Sequence, residues 1–259
     1  DSITLGALTF NSDLHLICPE DIIVAGVLQN TGGFITLEAD GDNDGSGGVQ
    51  VQLAGQVDAS GAITLLGSDL TAAGTPAVEI LDDGANLQLD AGGLITLGTK
   101  AAAAGDRSIR INGAFRSTGG GLSDSAKGEV DLASANADLV LAGNVALTAD
   151  SDGTFSGNIS MVDGSSIDAG AGEIALSSYG DVGLGQLTTT NNTFTAVSVT
   201  SGIGNILDNN TAGVDISATG ASAETTLSAA GNIGSIGGGD VLSGADDPLE
   251  INVTTISAT

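Results

Sequence analysis

The stretch that decides the fold is FITLEADGDNDGSGGVQVQLAGQVDASGAITLLG (34–67), because most of its pattern occurs a second time. It aligns with NVALTADSDGTFSGNISMVDGSSIDAGAGEIALSS (144–178) at an offset of 110 residues, which becomes 111 after Gly61. A repeat over a long fixed distance is typical of proteins that stack one structural unit. If 110 residues hold five turns of a coil, each turn takes about 22 residues, a plausible rung of a parallel β-helix.

Short segments that alternate apolar with polar or small residues fill the chain, and Gly, Asp, Asn or Ser bound nearly all of them, as expected for strands. Aromatic residues make up 2% of the chain and Trp is absent, so Val, Ile, Leu and Ala must form a thin core. A β-sandwich would normally bury a Trp or several aromatics. We therefore predict one all-β domain over 1–259, a right-handed parallel β-helix (solenoid) of roughly 11–12 rungs. Two related blocks, about 34–143 and 144–254, divide it.

The charge of the chain excludes several classes of partner. It has 32 acidic residues and five basic ones, a formal net charge of −27. Nucleic acid and anionic membranes would repel such a chain. No run of about 18 apolar residues occurs, so we also predict that the chain does not span a membrane.

An acidic stretch inside the repeat, ADGDNDGSGG (39–48), resembles the start of a calcium loop. Asp40, Asp42 and Asp44 alternate along it and Gly45 follows, which suits an ion that takes six to eight oxygen ligands. An EF-hand would need a bidentate Glu where this chain has Val51, and no helices flank the loop, so an EF-hand is excluded. A calcium site at these three aspartates and a solvated turn remain the alternatives.

The five basic residues lie close together in the sequence. All fall between positions 100 and 127, in a region that includes the loop-like segments AAAAGDRS (101–108) and STGGGLSDSAKG (117–128). One interpretation is solvated loops, and the other is a contact with the acidic surface of a neighbouring copy. Under the second, the interface residues are Lys100, Arg107, Arg110, Arg116 and Lys127.

Several segments resemble the repeats of filamentous-haemagglutinin-like bacterial exoproteins. They are GEIALSSYGDVGLGQL (172–187), SGAITLLGSDLTA (60–72), GGLITLGT (92–99) and TTLSAAGNIGSI (225–236). The resemblance implies a secreted β-helix at the bacterial cell surface, with an adhesive or structural role and no catalysis. We expect a stiff rod, part of a longer exoprotein, that associates with itself or attaches to a cell-surface or matrix component.

Three other functions are alternatives to this role. A filament or sheath subunit would join copies end to end, because an uncapped β-helix has open strand edges. A polysaccharide-active enzyme would need clustered carboxylates or a basic residue in a groove. The Thr-rich stretch QLTTTNNTFTAVSVTS (186–201) suggests a flat threonine array, as in some ice-binding solenoids, but its spacing does not recur from rung to rung.

Overall fold

The structure, a computed structural model, describes residues 1–69, 76–82, 84, 86–100, 108–154, 157–211, 213–234 and 249–259. Every helix-or-strand element in that part of the chain is a β-strand, and the strands form three parallel sheets, which we call A, B and C. The all-β prediction and the parallel solenoid are thus confirmed. No helix among the described residues is long and apolar enough to cross a membrane.

The strands are numbered in chain order, and successive strands fall in different sheets. Sheet A contains β1 (Ile3–Leu5), β4 (Ile22–Val24), β7 (Val49–Val51), β10 (Val78–Ile80), β13 (Ile109–Ile111), β16 (Val130–Leu132), β19 (Ile159–Met161), β22 (Val182–Leu184) and β25 (Ile206–Asp208). Sheet B contains β2 (Leu8–Phe10), β5 (Val27–Asn30), β8 (Gln56–Ala59), β11 (Leu87–Ala91), β14 (Ala114–Ser117), β17 (Asp138–Leu141), β20 (Ser166–Asp168), β23 (Gln186–Thr189), β26 (Ile216–Ala218) and β28 (Ile251–Val253). Sheet C contains β3 (Leu14–Ile17), β6 (Ile35–Glu38), β9 (Ile63–Gly67), β12 (Ile95–Thr99), β15 (Leu122–Ser125), β18 (Val145–Thr148), β21 (Ile174–Ser178), β24 (Val197–Ser201), β27 (Glu224–Ala229) and β29 (Thr255–Ala258).

Each rung takes one strand from each sheet, so β1, β2 and β3 form the first. The described residues contain nine complete rungs and a tenth with strands in sheets B and C. From Ile35 the register runs through Ile63, Ile95 and Leu122 to Val145, so the 110-residue repeat holds four rungs. The expected 22 residues a rung and 11–12 rungs are therefore wrong. The corners between strands differ in length, and a repeat distance alone does not reveal how many corners it contains.

The interior is a set of aliphatic columns that run from rung to rung. Successive residues of a strand face opposite sides, so every second residue points inward. In sheet C the second inward position is Leu in most rungs. From rung 1 to rung 9 this column reads Leu16, Leu37, Leu65, Leu97, Asp124, Leu147, Leu176, Val199 and Leu227. Phe115 is the one aromatic residue fully buried in the described part of the chain, as the low aromatic content indicated.

The corners need backbone conformations that few residues adopt. Asp40, Asn43 and Asp150 have positive φ, and Asx residues tolerate this left-handed region better than other non-glycine residues. Gly47 has a φ of 114°, and a Cβ there would lie 2.8 Å from the backbone nitrogen of Asp40. The acidic, Gly-rich composition of the repeat thus follows from the geometry of its corners.

Candidate functional site

The acidic corner that the sequence singled out lies between β6 and β7. Asp40 is fully buried, whereas Asp42 and Asp44 are exposed, and one oxygen from each lies within 4.8 Å of the others. Both carboxylate oxygens of Asp40 already accept hydrogen bonds, Oδ1 from the backbone of Gly45 at 3.1 Å and Oδ2 from the hydroxyl of Ser68. The three aspartates are brought together as predicted, and Asp40 also stabilises its own corner.

The corresponding corner of the second block has a similar structure. Asp150 has a φ of 56°, close to the 53° of Asp40, and its Oδ1 accepts a hydrogen bond from the backbone of Thr154 at 2.8 Å. Residues 155–156, which complete the copy, lie outside the described residues. The two blocks therefore use the same left-handed Asp to turn the chain from sheet C to sheet A.

Lys100 belongs to the first acidic corner. Its ammonium group donates to Glu38 Oε1 at 2.8 Å and to the backbone oxygen of Asp40 at 2.7 Å, and only 12% of its side chain is exposed. The hydrogen bond from Lys100 lowers the pKa of Glu38, against the opposing effect of burial, and His15 adds to the lowering. Lys100 therefore links rung 4 to rung 2 within one chain.

The other predicted interface residues lie on different sides of the rod. Arg110 projects from sheet A, 3.6 Å from both Glu79 and Asp131, and Arg116 projects from sheet B and pairs with Asp90 through two nitrogens. The backbone of Lys127 donates to Thr99 Oγ1 at 3.0 Å. Arg107 lies outside the described residues. Among the described basic residues, Arg110 and Arg116 thus lie on different faces, and the contact of the five residues with a second copy stays a prediction.

A site that sequence reasoning missed lies where rungs 9 and 10 meet. Carboxylate oxygens of Asp208, Asp215 and Glu250 lie within 4.8 Å of one another. Because Ile216 pairs with Ile251, the residues that precede them, Asp215 and Glu250, fall at the same corner. They are 35 positions apart in the sequence, and no local motif links them. Only the strand register could have revealed this cluster.

A second missed feature is a buried acid in the wall of the rod. Asp124 is 1% exposed and lies between Leu97 and Leu147 in the leucine column, and no group in the described part of the chain donates a hydrogen bond to either carboxylate oxygen. Burial raises the pKa of Asp124 well above its ordinary value. The segment 117–128, interpreted as a loop, contains strand β15. The sequence signal for this strand was the spacing of Leu122, Asp124 and Ala126 at every second position. The structure buries all three residues.

The outer face of sheet C is nearly uncharged. The outward column that starts at His15 continues with small residues only. A neighbouring outward column contains one acid, Glu38, and Glu224 begins β27 on the same face. The first column is Thr36, Thr64, Thr96, Ser123, Ala146, Ala175, Ser198, Thr226 and Ser257. Seven of these nine residues carry a hydroxyl group, and Ser198 among them belongs to the Thr-rich stretch 186–201. Hydroxyl groups therefore recur on this face more regularly than the spacing within that stretch indicated.

Charged residues project from the outer faces of the other two sheets instead. Glu79, Arg110 and Asp131 stack on sheet A, and Asp58 and Asp90 stack on sheet B. The rod therefore has two charged sides and one nearly neutral side.

Comparison with known proteins adds no relative. No protein-family model, no curated protein and no solved structure matches this chain. The resemblance to filamentous-haemagglutinin-like repeats therefore stays a hypothesis, and function has to be argued from the geometry of the rod.

Proposed function

We propose that the chain is a structural segment of an extracellular bacterial protein, a stiff rod that associates with copies of itself or attaches to a surface. The observation that carries this proposal is the continuity of the three ladders through nine rungs. At about 4.8 Å a rung, such a stack is roughly 45 Å long. A coil held by backbone hydrogen bonds along its whole length resists bending and stretching, which is what a spacer or stalk requires.

Sheet C is the face that supports association between copies. With a net charge of −27, two rods repel each other wherever acidic faces meet. The outward column from Thr36 to Ser257 contains no charged residue, so contact through this face avoids most of that repulsion. We propose a second copy of the chain as its occupant. End-to-end stacking into a filament is the alternative, because parallel strands can pair along the axis of such a rod.

Calcium remains a proposal for the acidic corner. Asp42 and Asp44 are exposed and lie near the buried carboxylate of Asp40, so an ion could bind at the surface of the corner. Because the oxygens of Asp40 already accept two hydrogen bonds, we expect weak binding, with a dissociation constant on the order of 10⁻⁴–10⁻³ M.

The association face can be tested with one acidic substitution and a matched control. Thr96→Glu places a charge in the neutral column of sheet C, and Thr188→Glu makes the same change on the outer face of sheet B. Sedimentation velocity at moderate ionic strength should show oligomers for the wild type and for Thr188→Glu, and monomers for Thr96→Glu. Oligomers that persist in Thr96→Glu, or a wild type that is monomeric at every concentration, would contradict the proposal.

A second candidate function, binding to ice, is favoured by the same face. Hydroxyl and methyl groups recur at about 4.8 Å between rungs and about 6.8 Å along each strand, a flat grid that a crystalline surface can meet. An ice-recrystallisation assay on the same two variants separates the candidates. Inhibition that Thr96→Glu abolishes and Thr188→Glu retains would support ice binding, and the absence of inhibition in the wild type would exclude it.

A further inference from the structure

The carboxylate cluster at rungs 9 and 10 has contributions from three strand ends. Asp208 ends β25 of sheet A, Asp215 precedes β26 of sheet B, and Glu250 precedes β28, the next strand of sheet B. The backbone nitrogen of Asp215 donates to the backbone oxygen of Glu250 at 2.9 Å, and the nitrogen of Glu250 donates back to Asp215 Oδ2 at 2.6 Å. The geometry of the cluster is thus set by the ladder that joins the two rungs.

Two buried side chains at this corner have polar atoms that no described protein group satisfies. Asp215 is 0% exposed, and its Oδ1 has no hydrogen-bond partner. Asn210 is 4% exposed, its amide lies beside the Asp215 carboxyl, and its Nδ2 finds no acceptor in hydrogen-bonding geometry. Buried polar atoms without partners are rare in native proteins and indicate a bound water or ion.

The charge at this corner points to a cation. The sequence contains no Lys or Arg after position 127, so no basic side chain follows in any of the last five rungs. Three carboxylates thus come together in a part of the sequence that contains no basic residue.

We propose that Asp208, Asp215 and Glu250 bind one divalent cation, with Asn210 as a fourth ligand through its amide oxygen. The amide oxygen and nitrogen of Asn are distinguished only by their partners, and rotation of the amide turns the oxygen toward the ion. Two ligands on opposite sides of a calcium ion lie up to about 4.8 Å apart, because calcium–oxygen distances are about 2.4 Å. The oxygens of this cluster lie within 4.8 Å of one another, which is close enough to share one ion. Magnesium gives up its water ligands reluctantly and is seldom held by protein oxygens alone, so the site prefers calcium.

The ion would join the tenth rung to the ninth. Glu250 leads directly into β28, and among the described strands of sheet B, β28 pairs with β26 alone. A cation shared by Asp215 and Glu250 adds a bond across this pair and removes the repulsion between their charges. This inference does not depend on the proposed structural role, because it concerns the binding site alone.

Calorimetric calcium titration tests the site in a chain that carries Asp42→Asn and Asp44→Asn, which disables the other acidic corner. This background should bind one calcium ion, and added Asp215→Asn should weaken binding at least tenfold. Asn at 215 keeps an acceptor for the backbone of Glu250, so the variant should fold, as far-ultraviolet circular dichroism can check. Asp168→Asn, on the outer face of β20, is the matched control and should bind as the background does.

Hydrogen exchange gives a second measurement of the same site. Calcium should slow amide exchange in β26 and β28 of the background protein and leave exchange in Asp215→Asn unchanged. Magnesium at the same concentration should protect these strands less. Equal calcium affinity with and without Asp215, or no binding to the background at millimolar calcium, would overturn the proposal.

Discussion

Asp40 and Asp124 are both hidden from solvent, but their surroundings are opposite. Asp40 sits at a corner, where a backbone amide and a hydroxyl donate to its two oxygens. Asp124 lies in a wall, between two leucines, and none of the described residues donates a hydrogen bond to either oxygen. At a corner some amides are not used by the ladders and can solvate a carboxylate. In a wall the amides pair with the neighbouring rungs, and an inward acid meets only aliphatic side chains.

The largest effect is expected from Asp124→Leu. The change completes the leucine column between Leu97 and Leu147 and removes a buried polar group without partners. We expect the free energy of unfolding at pH 7 to rise by about 3–4 kcal/mol, from the two contributions together. Urea denaturation measures it. Ser123→Ala changes the neighbouring outward residue and serves as the control, and it should change the free energy of unfolding by less than about 0.5 kcal/mol. If Asp124→Leu were less stable than the wild type, the carboxyl of Asp124 would have favourable partners in the wall.

Asp40→Ala should lower the free energy of unfolding, whereas Asp124→Leu should raise it. The change at Asp40 removes the acceptor of Gly45 and Ser68 and places Ala at a φ of 53°. The variant loses two hydrogen bonds to a carboxylate and holds Ala in the left-handed backbone region. We therefore expect the free energy of unfolding, measured by urea denaturation, to fall by about 2–3 kcal/mol. Asp40→Asn, which keeps one acceptor and tolerates this backbone, should lose clearly less. If both variants were as stable as the wild type, the corner would not depend on this carboxyl.

A smaller effect is expected in the pH dependence of stability, to which Asp124 contributes through its raised pKa. Below pH 3.8, the ordinary pKa of Asp, Asp124 is protonated in both the folded and the unfolded chain. As the pH rises toward the raised folded pKa, only the unfolded chain ionises, and the folded state loses about 1.4 kcal/mol per pH unit. Asp124→Asn has no such loss.

The measurement is the difference in unfolding free energy between Asp124→Asn and the wild type at pH 4, 5, 6 and 7. Because the other carboxyls are common to both proteins, their titration cancels in the difference. The difference should grow with pH in favour of Asp124→Asn. A constant difference would mean that Asp124 titrates alike in the folded and unfolded chains.

The sequence predicted the features that depend on neighbouring residues. Alternation of apolar and polar residues indicated strands, and Asp, Asn and Gly indicated corners, since both properties act over two to four residues. Ile35 and Val145, which the alignment of the two blocks matched, begin strands β6 and β18 of sheet C. Asp124 was within reach of the same alternation but was missed, because flanking glycines and serines made the segment resemble a loop.

What the amino-acid sequence determined by itself is an all-β chain with a thin aliphatic interior and acidic corners. Only the tertiary structure decided the number of rungs, the neutral face of sheet C and the meeting of Asp215 with Glu250. These depend on register, and register is set by corner loops of unequal length that no local pattern counts. Tertiary structure likewise decided that Lys100 donates a hydrogen bond to the backbone oxygen of Asp40, which lies two rungs away and 60 residues earlier in the chain.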